Sequence, residues 1–419
     1  MKTRLRTDTL WDVVVIGGGP AGMMAAGSAG LRGQKVLLLE KNASLGKKLL
    51  ITGGGRCNIT NHKPEVRIML AEYKSAGPFL FSAFSQFGVD DTLRFFNSRG
   101  VPTKEEAGGR VFPLSNKALS VWEALTAYMQ KRGVTVHTGS PVADITVDAD
   151  TKLFSISLKD KTEIKTKSCI VATGGTSRPE TGSSGEGLLW LSKLGHTVQE
   201  NNYALVPLAL KDAWAKKLSG VSLPEIKLTT YQNGEKQEAH KGKLLFTHVG
   251  LSGPTVLNMS REVGELLEYG EVTIMLDLFP KLDYGALKEK LQALLIVESN
   301  KKLKNTLSLF IPSALVPAVL ELSNIDGDTP CHSIRHEERV ALISLVKAVP
   351  LNVKGLLGAD KAIVSSGGVV LEEVNFKTME SRLVPNLYLI GDILNIDRPS
   401  GGYSLQLCWT TGFVAGSHC

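Results

Sequence analysis

The chain has 419 residues, enough for two or three domains, and 43% of them are hydrophobic, enough for a sizeable core. With 21% charged residues and 42 glycines it reads as a loop-rich globular chain, which excludes a disordered or fibrous protein. Lys and Arg exceed Asp and Glu by 48 − 41 = 7, a mild excess that permits an anionic partner such as RNA without demanding one.

Residues 1–6 (MKTRLR) followed by apolar residues mimic a secretory leader. Asp12 and a glycine cluster interrupt that stretch, and the motif it carries must be kept. No run of 18 apolar residues exists, so no membrane span is expected. Five cysteines, at 57, 169, 331, 408 and 419, form no CxxC pair and no zinc spacing. A reducing, cytoplasmic setting and no metal site are therefore expected.

Residues 13–22 read VVVIGGGPAG. A β-branched run feeds into Gly17, Gly19 and Gly22, a small-residue helix follows from Pro20 and Ala21, and a second apolar run ends at Glu40, beside Lys41. In this context Gly17 makes the tight turn, Gly19 lets the backbone approach a pyrophosphate, and Gly22 lets helix and strand pack closely. The helix N-terminus faces the phosphates, and Glu40 is placed to bond both hydroxyls of an adenosine ribose. Lys47 and Lys48 follow closely and could neutralise the pyrophosphate.

Residues 78–100 have helical apolar spacing with Gly100 as a stop, and 117–133 read as an amphipathic helix ending at Gly133. Residues 134–160 read as strands with turns and include Val142, a candidate cofactor contact; 167–175 form a buried strand running into glycines. Beyond about 200 the texture changes. Asn233-Gly234 marks a hairpin, 271–280 a strand, and 283–348 a helical stretch. The expected layout is a first domain part at 1–199, a β-rich insert at 200–280, a helical insert at 281–348, and a second domain part at 349–419. Residues 386–394 read as a strand and 401–416 as a glycine-led helix.

Two later segments separate FAD from NAD. One is an apolar strand ending in Ala172, Thr173 and Gly174; the other ends in Gly391 and Asp392. Such strands resemble those that return to the FAD site in flavoproteins of the glutathione-reductase and fumarate-reductase type. There the Gly-Asp carboxylate takes a ribityl hydroxyl. The following helix, here opening at Gly401, Gly402, Tyr403 and Ser404, points its N-terminus at the pyrimidine end of the isoalloxazine. That geometry stabilises the charge of reduced flavin. Residues 174–187 are glycine-rich but lack a strand–turn–helix pattern, so no separate NAD(P)H domain is expected, and NAD(P)H would act as a transient electron donor.

The most distinctive stretch is LGKKLLITGGGRCNITN at 45–61. Gly54 and Gly55 allow a backbone to lie against a flat ligand, which would bring Arg56, Cys57 and Asn58 near the flavin. With LFTHVGLSGPTVL at 245–257 and the segment at 365–406, the chain resembles, over nearly its whole length, a bacterial flavoprotein family that includes YhiN-like and BaiN-like proteins. The resemblance implies an α/β fold, with a Rossmann-type FAD-binding domain interrupted by a β-barrel-like and helical insert. It also implies bound FAD and oxidoreductase chemistry. Some members resemble bile-acid or steroid reductases; others are implicated in reducing uridine to dihydrouridine in large-subunit ribosomal RNA.

Reduction of a C=C bond by flavin needs an acid for the neighbouring carbon and a donor for the carbonyl oxygen. Cys57 is the first candidate acid, against a reading as buried filler. Arg56 could polarise a carbonyl, or simply pair with an acid. His248, in a glycine-rich turn, could bind substrate or move a proton, or be a satisfied structural histidine. Asp397, Arg398 and Tyr403 are weaker candidates, while Cys169 and Cys408 read as core. The competing functions are reduction of ribosomal RNA uridine, turnover of a small steroid-like or amine substrate, and non-catalytic binding of RNA or protein by a chain holding FAD structurally. The basic spots at Lys216-Lys217, Lys241/Lys243 and 301–304 lean toward RNA.

Overall fold

The run Leu10–Ile16 forms strand β1, sealed from Val13 onward, as a parallel strand covered on both faces must be. This computed structural model describes residues 9–63, 65–199, 203–267, 269–357, 364–365 and 367–419; the leader-like hexapeptide at 1–6 lies outside them. From β1 the chain enters α1 (Pro20–Leu31), with Pro20 in the first turn, where a missing N–H costs nothing. It returns through β2 (Val36–Glu40), parallel to β1. A helix with small apolar residues on every side can only be an interior helix, and residues 21–29 are buried throughout.

Next come α2 (Lys47–Ile51), α3 (Gly77–Gln86), α4 (Val89–Asn97) and α5 (Ala118–Lys131). The single helix expected at 78–100 is thus two. Gly88 takes an extended conformation (φ −98°, ψ −160°), and its N–H donates to the Asp91 carboxylate at 2.9 Å, which starts α4 afresh. Strands β3 (Thr135–Thr138), β4 (Val142–Val147), β5 (Phe154–Leu158) and β6 (Glu163–Val171) complete the path β3-β2-β1-β6-β5-β4. Pairing is parallel from β3 to β6 and antiparallel from β6 through β4. A further helix, α6 (Glu186–Lys193), follows.

The chain forms two compact units, Met1–Tyr203 with Ala362–Cys419, and Ala204–Lys361 between them. The inserted unit opens with β7 (Leu208–Leu210), α7 (Ala213–Lys217), β8 (Ser222–Gln232), β9 (Glu235–Phe246), β10 (Gly250–Ser252), α8 (Pro254–Leu267) and β11 (Val272–Asp277). It continues through α9 (Tyr284–Val297), α10 (Leu303–Leu307), α11 (Val316–Ser323), α12 (His336–Lys347) and β12 (Val349–Leu356). The strands close an antiparallel barrel in the order β7-β10-β9-β8-β11-β12. Asn233 (φ 49°) and Gly234 (φ 85°) make the two-residue turn between Gln232 and Glu235, the left-handed pair that matches strand twist.

Two expectations are corrected here. The return to the first domain does not come at 349, because β12 is a barrel strand pairing with β11 and β7. Nor are the β and helical inserts separate: Leu287, Leu291 and Leu295 share one core with Ile274, Leu276 and Leu351. In the first unit β13 (Leu387–Leu389) joins the sheet parallel to β6, and α13 (Tyr403–His418) packs along α1. No helix among the described residues is long and apolar enough to cross a membrane.

Candidate active site

The turn between β1 and α1 is built by steric need. Gly17 (φ +108°) would place a Cβ 2.5 Å from the Ala172 carbonyl oxygen, and a Cβ on Gly22 would lie 1.9 Å from the Gly17 carbonyl oxygen. A Cβ on Gly19, by contrast, would meet nothing within 4 Å; it would project into open space that a pyrophosphate can use. Glu40 is 8% exposed at the end of β2. Its Oε2 accepts the Gly18 N–H at 2.7 Å, and its Oε1 accepts Asn42 N–H at 2.7 Å and Asn42 Nδ2 at 2.8 Å. A carboxylate offers about four acceptor positions. About one is left for a ribose hydroxyl, where the sequence suggested two.

This turn forms one wall of a cleft. The opposite walls are Val142, the residues Ala172, Thr173 and Gly174 beyond β6, and Ile390 and Asp392 beyond β13, with Ser404, Leu405 and Cys408 on α13. Thr173 lines the cleft, but its Oγ1 packs against Gly187 and is buried without a hydrogen-bond partner among the described residues. The open Gly19 face and the mixed polar and apolar lining fit FAD.

Beside Ser404, three charges meet. Arg398, whose side chain has no exposure, donates to the Asp392 carboxylate, to the Ile396 carbonyl at 2.6 Å and to Ser404 Oγ at 3.0 Å. Lys48 Nζ lies 3.7 Å from Asp392 and donates to Ser177 Oγ at 2.6 Å. Burial alone would raise the Asp392 carboxyl, but Arg398 and Lys48 outweigh it and hold the group below the ordinary carboxylate range. Burial pushes the Lys48 ammonium down, with Asp392 opposing. Lys48 and Asp392 thus stand in the cleft lining, with the Arg398 guanidinium behind them.

The HI0933-like protein Rossmann domain family matches residues 11–418. The chain belongs to this family. It is 32% identical over 406 residues to the 3-dehydro-bile acid delta(4,6)-reductase of Clostridium scindens, covering 96% of this chain and 97% of that protein. It is likewise 32% identical over 409 residues to the ribosomal RNA dihydrouridine synthase of Escherichia coli K12, covering 96% of each. Among solved structures, the 3-ketosteroid delta1-dehydrogenase of Sterolibacterium denitrificans matches with a TM-score of 0.55 at 13% identity, over 98% of this chain and 99% of that one. The fold is the Rossmann-like, FAD-binding type, and this HI0933-like chain is an FAD-dependent oxidoreductase.

Not every residue singled out in the sequence reaches the cleft. Lys41 and Lys47 line it, each tethered: Lys41 donates to Ser184 Oγ at 2.6 Å and pairs with Glu186, while Lys47 donates to the Glu180 carbonyl at 2.7 Å. Lys48 lines the cleft as well, with its ammonium beside Ser177 and Asp392. Cys57 is corrected as a cleft-facing acid: it has no exposure, lies in the core, and burial pushes its thiol up to about 12. Arg56 stacks on Phe112 at 4.1 Å and is held by Glu106 and Asn116, the structural pairing rather than a free cation. Neither they nor Gly54, Gly55 and Asn58 line the cleft.

Gly391, Gly401, Gly402 and Tyr403 also stand behind the lining. Gly402 caps α13 against Thr60, and the Tyr403 carbonyl accepts the Tyr73 hydroxyl at 2.8 Å. His248 is exposed in the turn between β9 and β10 of the inserted unit. Sequence reasoning missed residues 181–186, which line the cleft although their stretch follows no dinucleotide pattern. The Gly182-Ser183-Ser184-Gly185 run was the available signal. Cys408, read as core, is both buried and part of the cleft wall.

Proposed function

We propose that this chain is an FAD-dependent reductase of an activated carbon–carbon double bond, using NAD(P)H as electron source, and that its substrate is a uracil ring of large-subunit ribosomal RNA. The observation that carries the reduction chemistry is the buried cluster of Lys48, Asp392 and Arg398 beside Ser404 at the α13 N-terminus, with Lys48 and Asp392 in the cleft lining. Positive charge and a helix N-terminus favour an electron-rich partner in a poorly solvated cleft. FAD, when bound, supplies the hydride.

The chain's own residues do the rest. The Gly17–Gly19 turn and the start of α1 would hold the pyrophosphate, and Glu40 the ribose. Asp392 would accept a hydroxyl, and Ala172, Leu405 and Ile390 would exclude water. The RNA substrate is supported by the 32% relative named for it and by the net charge of +7. A second reading, reduction of a conjugated ketone on a small steroid-like molecule, is favoured by the equal identity to the bile-acid enzyme.

The test is anaerobic reduction of the purified protein with NADH or NADPH, followed by ribosomal RNA lacking dihydrouridine. Bleaching and then recovery of the flavin spectrum on adding RNA is expected. Recovery only with an unsaturated ketosteroid would transfer the proposal to the second reading. A protein that cannot be loaded with FAD would end both.

A further inference from the structure

We infer that the outward face of the β8–β9 hairpin in the inserted unit is a docking surface for the phosphate backbone of RNA, built on Lys227, Lys241 and Lys243. This rests on the RNA reading above. Along β9, Leu244 and Phe246 point into the barrel core, and a Cβ on Gly242 would meet Thr255 of α8. Strand alternation therefore turns Lys241 and Lys243 outward, and both are exposed. Lys227 on β8 is the register partner of Lys241. Like charges directly opposite destabilise a sheet, so a paired lysine face costs stability that an anionic partner would offset.

The neighbouring acids are already committed. Glu225 pairs with Lys281 at 2.8 Å. Asp277, the register partner of Lys227 on β11, is held by Lys347 at 2.7 Å. Glu262 accepts from His240 at 2.8 Å, and Glu238 lies 3.8 Å from that ring. Lys227, Lys241 and Lys243 make no ion pair among the described residues.

The lysines at 301–304, equally dense in sequence, behave otherwise: Lys302 and Lys304 share Asp328 at 2.8 and 2.9 Å, and Lys301 pairs with Glu298. Of these two basic stretches, the hairpin face is the one whose lysines make no ion pair among the described residues.

The experiment compares holoenzyme of wild type, a Lys227→Gln/Lys241→Gln/Lys243→Gln triple variant, and a control triple at the exposed Lys131, Lys161 and Lys288. Each is titrated with a fluorescent fragment of unmodified large-subunit ribosomal RNA over a range of salt. Each phosphate contact contributes about 0.7 to the slope of log affinity against log salt for single strands. The hairpin variant should therefore lose about 2 from that slope and about tenfold or more in affinity near 0.1 M salt. The control should match wild type, with the flavin spectrum unchanged in both, and the hairpin variant should melt no lower than wild type because its facing like charges are gone.

If wild type binds and is reoxidised by RNA while the hairpin variant keeps its slope, the docking surface is wrong and the RNA reading survives. If wild type neither binds RNA nor is reoxidised by it, both fall. Binding to vesicles containing anionic lipid in place of RNA would also overturn the inference.

Discussion

Replacing Arg398 by Met tests the electrostatic core of the site directly. Met keeps much of the apolar volume but removes the donors to Asp392, Ile396 and Ser404. Asp392 would then face only Lys48, at 3.7 Å, beyond direct hydrogen bonding. Removing one partner of a fully enclosed ion pair costs about 3–5 kcal/mol. Asp392 keeps 13% side-chain exposure, so the low end applies and the apo-protein should lose about 3 kcal/mol at pH 7.

The pH dependence follows from the same charges. In the wild type the folded carboxyl lies below its ordinary value. It therefore adds stability at pH above the unfolded value near 3.8, and that stability is lost only as pH falls through the lowered folded value. Without Arg398, burial dominates, the folded carboxyl rises, and protonation in mild acid relieves the strain. The gap between wild type and variant should be largest at neutral pH and shrink as pH falls toward 4.

Urea unfolding of the apo-proteins from pH 4 to 8 reads this out. Lys48→Met, which leaves Asp392 and Arg398 paired, serves as the companion and should cost clearly less. A loss for Arg398→Met below about 1 kcal/mol at pH 7, or one independent of pH, would refute the reasoning.

Three further outcomes are expected. Gly22→Ala puts a methyl 1.9 Å from the Gly17 carbonyl oxygen; the turn must open, costing about 1–3 kcal/mol, and the purified protein should be colourless, whereas FAD retention equal to wild type would contradict the packing role. Cys57→Ala should leave turnover within about twofold, against the 10²–10⁴-fold loss expected for a general acid. The native Cys57 thiol, pushed up to about 12 by burial, should resist thiol reagents at pH 8 until the protein unfolds.

His240 is raised above its ordinary value, chiefly by its hydrogen bond to Glu262. Its stabilising contribution should be complete below about pH 6.5 and fade as pH rises through the folded value. His240→Ala should erase that fade, which partial exposure keeps to about 1 kcal/mol or less. An unchanged stability profile between pH 6 and 8 would count against the pairing.

What could be read in the sequence was what neighbouring residues impose on one another. The run from Val13 to Gly22, ending in Glu40, specified strand, turn, helix and strand because glycine placement and apolar period act over a few residues. Asn233-Gly234 specified a hairpin for the same reason. The strand ends at Ala172 and Gly391 pointed to the cofactor wall.

The tertiary structure decided the rest. Gly88 breaks what apolar spacing joined, because Asp91 supplies a local cap that periodicity does not register. β12 belongs to the barrel because its partners are β7 and β11, far away in the chain. Cys57 follows three glycines that promised access, yet it is sealed in the core. Lys48 was read from its own segment alone, and the acid beside it, Asp392, comes from the far end of the chain. The reason is common to all four: burial and charge pairing depend on which distant strands the sheet and barrel bring together, and that order is set by the packing of whole elements rather than by any residue's neighbours.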